Sequence, residues 1–426
     1  MFSFFYNFSL LLLALFALPK LLWQWCVQGK YRQSLKARLG ISSPSFTPQK
    51  GQEVIWIHAV SVGETRAAIP LFCKIRAAYP NAAILISSTT ETGRAEAMRS
   101  MPEADAHFFL PFDLSWIIRR ILRQLQPTRL ILCESDFWHH LLKIAKERGA
   151  KIHLVNGKVS ERSCRRFKKS PFFARQLFAH VDFFCVQSER YRERFISMGI
   201  PYEKIDVTGN LKFDLREKKM SMSEKTTFKE SLGITPHDQV LVVGSTHAPE
   251  EDRILSILSL VWKKIPDLKV LLVPRHPERF NEVAHLLEQK AIAFCRLSEK
   301  RNASERLILI DRMGKLNQCY QIADIAIVGG SYTSQVGGHN IFEPIAFGVP
   351  VFFGPYMHSQ PDLEEIVLTS GSGKQVSIEQ LYEHLIEVLE KPAIRHKYID
   401  ACHQLAQSTK GATERTFAHL FSSASF

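Results

Sequence analysis

From residue 53 onward, short continuous apolar runs alternate with longer, helix-like stretches of mixed polarity. The runs predict strands at 53–60 (EVIWIHAV), 82–89, 129–134, 151–156 and 181–187. After a polar stretch at 214–230 they resume at 239–245, 269–274, 306–311, 325–330 and 350–354. Strands that are apolar on both faces and separated by helices belong to parallel sheets covered on both sides. Two such sets, parted by the charged segment at 215–225, predict an α/β chain of two Rossmann-like, doubly wound domains facing a cleft. The expected first domain is 29–213, the linker 214–232 and the second domain 233–426, whose last helix returns to the first.

The N-terminus follows a different pattern. Residues 1–19 carry no charge, and an apolar stretch continues past Lys20 to Cys26, with Trp23 and Trp25 near its end. About 20 apolar residues in a helix span a bilayer core. Residues 1–28 are therefore expected to form an uncleaved membrane anchor (a signal-anchor), with a shallow interfacial helix as the alternative. A signal peptide fits less well, because no basic residues precede the apolar run. The flank holds Lys30, Arg32, Lys36 and Arg38 and no acid before Glu53, which by the positive-inside rule predicts that the rest of the chain lies in the cytoplasm.

Charge sharpens this picture. The chain has 426 residues and a net charge of +13. Residues 1–220 carry 34 Lys/Arg against 18 Asp/Glu, and the remainder 21 against 24. The first half is thus suited to an anionic surface or substrate. Its most basic segment, ERSCRRFKKSPFF at 161–173, interleaves Arg162, Arg165, Arg166, Lys168 and Lys169 with phenylalanines, which suits an acidic lipid surface, with a solvated basic helix face as the alternative. No nucleic-acid-binding module is visible, so nucleic acid is not an expected partner. The 46% apolar and 23% charged composition excludes a disordered chain. Eight cysteines form no CxxC, which predicts reduced, mostly buried thiols.

Ligands of open α/β sheets bind beyond the carboxyl ends of the strands, so chemistry is sought there. The first strand leads into His58-Ala-Val-Ser61-Val-Gly63-Glu64, where Glu64 either complements a helix start or acts as a general base. Glu134-Ser135-Asp136 follows the strand at 129–134, either capping a helix or facing the cleft with partners. Lys212, in GNLKFD, can offset a phosphate charge. The second half places Gly244-Ser245-Thr246-His247, Arg275-His276, Met313-Gly314-Lys315 and a Gly-rich loop with Asn340-Ile341-Phe342-Glu343 after successive strands. A Gly-rich loop opening a helix exposes N–H groups to phosphate, an acid can accept from ribose hydroxyls, and Arg275 can bind phosphate. Together these clusters predict a nucleotide-type ligand. No HExxH, GxSxG, Walker A or EF-hand pattern occurs, and neither a metal site nor a resident cofactor is expected.

The motifs KYRQSLKARLG, WIHAVSVGE, CESDFW, GNLKFD, VPRHPERF, DRMGKL and GGSYTSQVGGHNIFEP occur in this order from residue 30 to about 360. In them the chain resembles the 3-deoxy-D-manno-octulosonic acid (Kdo) transferases of lipopolysaccharide assembly, which are GT-B glycosyltransferases. The resemblance implies a membrane-bound enzyme that moves Kdo from CMP-Kdo to a phosphorylated lipid A precursor, with inversion, once or several times in succession. It implies Glu64 as base and Glu134 and Lys212 as stabilisers of the transition state. It implies that Arg275, His276, Met313, Gly314, Lys315, Asn340, Ile341, Phe342 and Glu343 hold CMP. The chain departs from the family where members often read Glu-Thr-Glu followed by Leu-Trp-Pro. Here Glu134-Ser135-Asp136-Phe137-Trp138-His139 stands instead, so the acceptor side is where a difference is expected. The alternatives are another GT-B enzyme, such as a heptosyltransferase or a nucleotide-sugar 2-epimerase, and a non-catalytic lipid-binding protein of the same fold.

Overall fold

The computed structural model describes residues 2–26, 34–215, 219–299 and 305–421. Lys30 and Arg32 of the basic flank, and positions 216–218 of the expected linker, lie outside the described residues. The chain divides into two compact units, Met1–Arg216 with Thr409–Phe426, and Glu217–Ser408.

The first unit is a seven-stranded, all-parallel sheet. Its strands are β1 (Val54–His58), β2 (Ala83–Ser88), β3 (Ala106–Phe109), β4 (Arg129–Cys133), β5 (Lys151–Gly157), β6 (Phe183–Val186) and β7 (Ile205–Val207), in the order β3-β2-β1-β4-β5-β6-β7. Alternate side chains of each strand enter opposite cores. Trp56, Leu85, Leu130 and Leu154 pack with the helix Ser115–Leu125 on one face, and Ile55, Ile57, Ile84 and Ile131 pack with the helix Val62–Ala78 on the other. The last helix, Ala412–Phe421, belongs to this unit. Asp214 accepts from the N–H groups of Gly411 and Thr413 near its start, and Arg129 donates to the Leu420 carbonyl at its end.

The second unit repeats the scheme with β8 (Val240–Thr246), β9 (Lys269–Pro274), β10 (Phe294–Arg296), β11 (Leu307–Leu309), β12 (Ile325–Val328), β13 (Val351–Phe353) and β14 (Gly373–Gln375). The order is β10-β11-β9-β8-β12-β13-β14, again all parallel. Within the expected linker, a helix runs over Met222–Ser231. Its capping box pairs Ser221 with Glu224, which satisfies N–H groups that a helix start leaves without partners.

The N-terminal apolar stretch forms one helix, Phe2–Cys26, with Pro19 inside it. No helix among the described residues is long and apolar enough to cross a membrane. The first turns of this helix dock on the first unit. Asn7 Nδ2 donates to Ser115 Oγ at 2.9 Å, and Asn7 Oδ1 accepts from Ser115 N at 3.1 Å and from His140 Nε2 at 2.9 Å. The Phe2 ring stands edge-on to His139 and Phe172.

Candidate active site

In each sheet the strand order reverses beside the first strand, and open α/β folds bind ligands in the crevice at that point. In the first unit the reversal lies between β1 and β4, so the residues after these two strands come together there. Those residues include Glu64 and Glu134.

Glu64 sits in the first turn of the helix Val62–Ala78. Its Oε2 accepts from Val60 N at 2.8 Å, and Ser61 Oγ lies 3.4 Å from Oε1. It is therefore a helix-start carboxylate, but one with unusual electrostatics. Burial pushes its pKa from 4.5 up to about 7, the Val60 N–H opposes the rise, and the charges of Glu134 and Asp136 add to it. Such a group can take a proton near neutral pH. Gly63, next to it, has the Lys212 ammonium as its neighbour. A Cβ built there would lie 3.9 Å from Lys212 Nζ.

Glu134 is buried at the end of β4 in a left-handed conformation, φ +65°, uncommon for a residue with a side chain and concentrated at functional sites. Two ammonium groups clamp it. Lys212 Nζ is 2.9 Å from Oε1 and Lys158 Nζ is 2.7 Å from Oε2. Burial pushes the Glu134 carboxyl up, but Lys212 and Lys158 outweigh it and hold it below its usual range. Asn156 aligns the clamp. Its Oδ1 accepts from Leu211 N at 3.0 Å, and its Nδ2 lies 3.5 Å from Glu134 Oε1. The sequence placed Glu64, Glu134 and Lys212 at strand ends. It gave no reason to single out Lys158 or Asn156, whose signal is a polar pair closing an otherwise apolar strand, KIHLVNGK.

In the second unit the reversal lies between β8 and β12. Glu250 joins the loops beyond these strands. Its Oε1 accepts from His247 N and Gly330 N, and its Oε2 from Tyr332 N. Burial raises Glu250 from 4.5 to about 7, and these three N–H groups oppose the rise. His247 and His339 meet here, with their Nε2 atoms 2.7 Å apart, and His276 stacks edge-on to His247. Burial lowers both imidazoles of the pair, His339 to about 4, so they share one hydrogen as neutral rings. Gly330 has φ +68°, and a Cβ on it would meet the His339 ring at 2.8 Å.

Arg275 and His276 are exposed beside this pair. The loop Met313-Gly314-Lys315 is solvent-facing at Met313, and Lys315 Nζ donates to Gln318. Asn340 Oδ1 accepts from Phe342 N, and Asn340 Nδ2 donates to Glu343 Oε1, at the start of the one-turn helix Phe342–Ile345. Ile341 and Phe342 turn their side chains into the interior, so what they can offer a ligand is main chain. Of the predicted donor residues, the structure brings His276 and Arg275 to the histidine pair, and Asn340 to Phe342 and Glu343.

A raised carboxylate beside a lysine-clamped one is suited to removing a proton from a neutral hydroxyl while balancing negative charge nearby. The family model described as 3-deoxy-D-manno-octulosonic-acid transferase (kdotransferase) matches residues 33–215. A 3-deoxy-D-manno-octulosonic acid transferase of Chlamydophila psittaci is 35% identical over 97% of this chain and 95% of its own. One from Haemophilus influenzae is 33% identical over 91% of this chain and 90% of its own. Among solved structures, the UDP-GlcNAc 2-epimerase of Neisseria meningitidis matches with a TM-score of 0.62 at 14% identity, over 87% of this chain and 99% of that one. That likeness is one of fold, two parallel-sheet α/β domains of GT-B type. Full-length identity above 30%, together with the matched first unit, places this chain in the family of 3-deoxy-D-manno-octulosonic acid transferases, which are glycosyltransferases.

Proposed function

We propose that this chain transfers Kdo from CMP-Kdo to a hydroxyl of a phosphorylated lipid A precursor, with inversion at the anomeric carbon. The observation that carries the reading is Glu64, a carboxylate raised to about 7 beside the Lys212–Glu134–Lys158 clamp, in a chain of this family. Glu64 takes the hydroxyl proton as the acceptor oxygen bonds to the anomeric carbon. The bond from that carbon to the phosphate oxygen of the donor breaks, and CMP leaves with the electron pair. Lys212 and Lys158 balance the negative charge of the carboxylates, and Glu134 fixes where the two ammonium groups stand. Arg275, His276, Lys315, Asn340 and Glu343, with the main chain of 313–314 and 341–342, hold CMP.

The same reading places the enzyme on the cytoplasmic face of an anionic inner membrane. Phe4, Phe5, Phe8, Leu13 and Phe16 of the first helix are exposed, and so is Phe172, beside the basic helix Glu161–Lys169. Asn7 fastens the start of the first helix to the folded unit, which supports a helix lying along the bilayer surface. Basic residues next to an apolar helix add attraction to acidic lipid, about 1 kcal/mol each near the surface. Phe4→Asp with Phe8→Asp is expected to cut co-sedimentation with phosphatidylglycerol vesicles by about tenfold or more. Unchanged binding would reject this surface.

The function is tested by mass spectrometry of a detergent reaction containing the full-length protein, lipid A precursor and CMP-Kdo generated in place. The expected result is a product heavier by whole Kdo units, whose number counts the sugars added. Well-folded protein that yields no increment would reject the donor and turn the test to ADP-heptose.

A further inference from the structure

Beside Glu64 a chain of buried side chains ends on a carboxylate outside the clamp. Trp56 and His58 of β1 and Ser87 of β2 are buried, and His58 pairs in register with Ser87 across the two strands. Trp56 Nε1 donates to Ser87 Oγ at 2.7 Å. Ser87 Oγ lies 2.8 Å from His58 Nδ1, and His58 Nε2 lies 2.9 Å from Asp136 Oδ2. Trp138 Nε1 donates to the same Oδ2 at 2.7 Å.

Proton counting leaves one arrangement with a neutral imidazole and an ionised carboxylate. An indole N–H can only donate, so Ser87 Oγ accepts from Trp56 and turns its own hydrogen to His58 Nδ1. The ring hydrogen is then on Nε2, pointing at Asp136. Every member is satisfied, and among the described residues the side chains that bond the Asp136 carboxylate are His58 and Trp138. Among the described residues, no lysine or arginine lies within ion-pair distance of Asp136. Glu134 differs, because two lysines offset it. The charges of Glu134 and Asp136, beyond β4, disfavour ionisation of Glu64, whereas His58 of β1 favours it; Lys212 Nζ stands beside the neighbouring Gly63.

We propose that Trp56, Ser87 and His58 form a positioning relay that holds Asp136 as a fixed anion beside Glu64, and that this anion keeps Glu64 a competent proton acceptor. The inference rests on Glu64 being the base of the proposed reaction. Asp136 has this role because a like charge nearby disfavours ionisation of Glu64, so its conjugate acid holds the proton more tightly and the carboxylate is a stronger base. His58 and Ser87 act through Asp136.

The test is single-turnover Kdo transfer by the full-length protein across about pH 5–9, with Asp136→Asn and Ser87→Ala beside wild type. Asn at 136 still accepts from His58 and Trp138 but carries no charge. The expected result is an acid limb displaced to lower pH by about 0.5–1 unit, with a plateau about 3–10-fold lower, because Glu64 becomes a weaker base. Ser87→Ala, which frees His58 to change tautomer, is expected to move the limb the same way by less. An acid limb that stays in place in both variants would overturn the relay. Loss of transfer at every pH in Asp136→Asn would also overturn it, because Asp136 would then be handling the proton. If wild type transfers no Kdo, the proposed function fails separately, and the field is read without turnover. Glu64→Cys is then alkylated with iodoacetamide across pH, with and without Asp136→Asn, and resolved by peptide mass spectrometry. A thiol that titrates lower in the double variant supports the relay, and an unchanged one rejects it.

Discussion

Glu64→Gln is expected to slow Kdo transfer by about 10²–10⁴-fold, roughly 3–5 kcal/mol of barrier, while the protein stays folded. Glutamine has the same shape, and its carbonyl can still accept from Val60 N, the contact that ties this side chain to the helix start. What disappears is the proton acceptor. With Glu64 raised to about 7, the wild-type rate should climb through neutral pH with a midpoint near that value. Stability should run the other way. The folded-state pKa lies above the ordinary 4.5, so folding favours the protonated acid. The stabilisation of that form is fully present below about 4.5 and is lost as pH rises through about 7. Glutamine imitates the protonated form. The variant should therefore be more stable than wild type at about pH 8, by about 1–2 kcal/mol, and nearly equal to it well below neutrality. Thermal unfolding at the two pH values checks the sign, and quench-flow transfer assays check the rate. Near-normal turnover would remove Glu64 from the mechanism.

Lys212→Ala is expected to cost both activity and stability, which separates it from Glu64→Gln. Glu134 is about 5% exposed and held by two ammonium groups. Without Lys212, only the half-exposed Lys158 remains to balance a buried carboxylate, and breaking a buried pair costs about 3–5 kcal/mol when nothing replaces the partner. With Lys158 in place the expected loss is smaller, about 2–3 kcal/mol of unfolding free energy. Turnover should fall about 10²–10³-fold, because a preorganised positive charge leaves the site. Combining Lys212→Met with Glu134→Gln removes the stranded charge. The double variant should recover most of the stability and none of the activity, as denaturant unfolding and the mass assay would record. Recovery of activity in it would mean that the clamp serves folding alone.

How far the sequence reaches is clear from particular elements. β1, β4, β8, β9 and β12 are interior strands of their sheets, and each carries a run of four buried apolar residues. β3, β7, β10 and β14 escaped the reading. They are three or four residues long and lie at the edges of the two sheets, or near them, where Ala-His-Phe-Phe, Ile-Asp-Val and Gly-Lys-Gln need no continuous apolar character. Met222–Ser231 reads as linker because the stretch is polar and charged, and the helix there buries none of its residues, although Ser221 and Glu224 carry a capping-box signature. At the site, SVGE and CESD could each be read as helix caps, and Glu64 does accept from its helix start. What separates a cap from a base is the charge around it.

That charge comes from residues far apart in the chain. Glu134 and Lys212 are 78 positions apart, as are His58 and Asp136. The apolar rhythm could establish two parallel-sheet units and put chemistry at the strand ends, because burial on both faces imprints itself locally on every central strand. The family motifs could name the residues to watch. Neither could say that β1 lies between β2 and β4, which aligns Ser87 with His58 and brings Asp136 and Glu134 toward Glu64. Strand order is chosen by packing of the whole sheet, and a carboxylate's proton affinity is set by burial and by charges through space. Both are properties of the folded unit, so the base and the clamp that balances it emerge when the sheet is assembled.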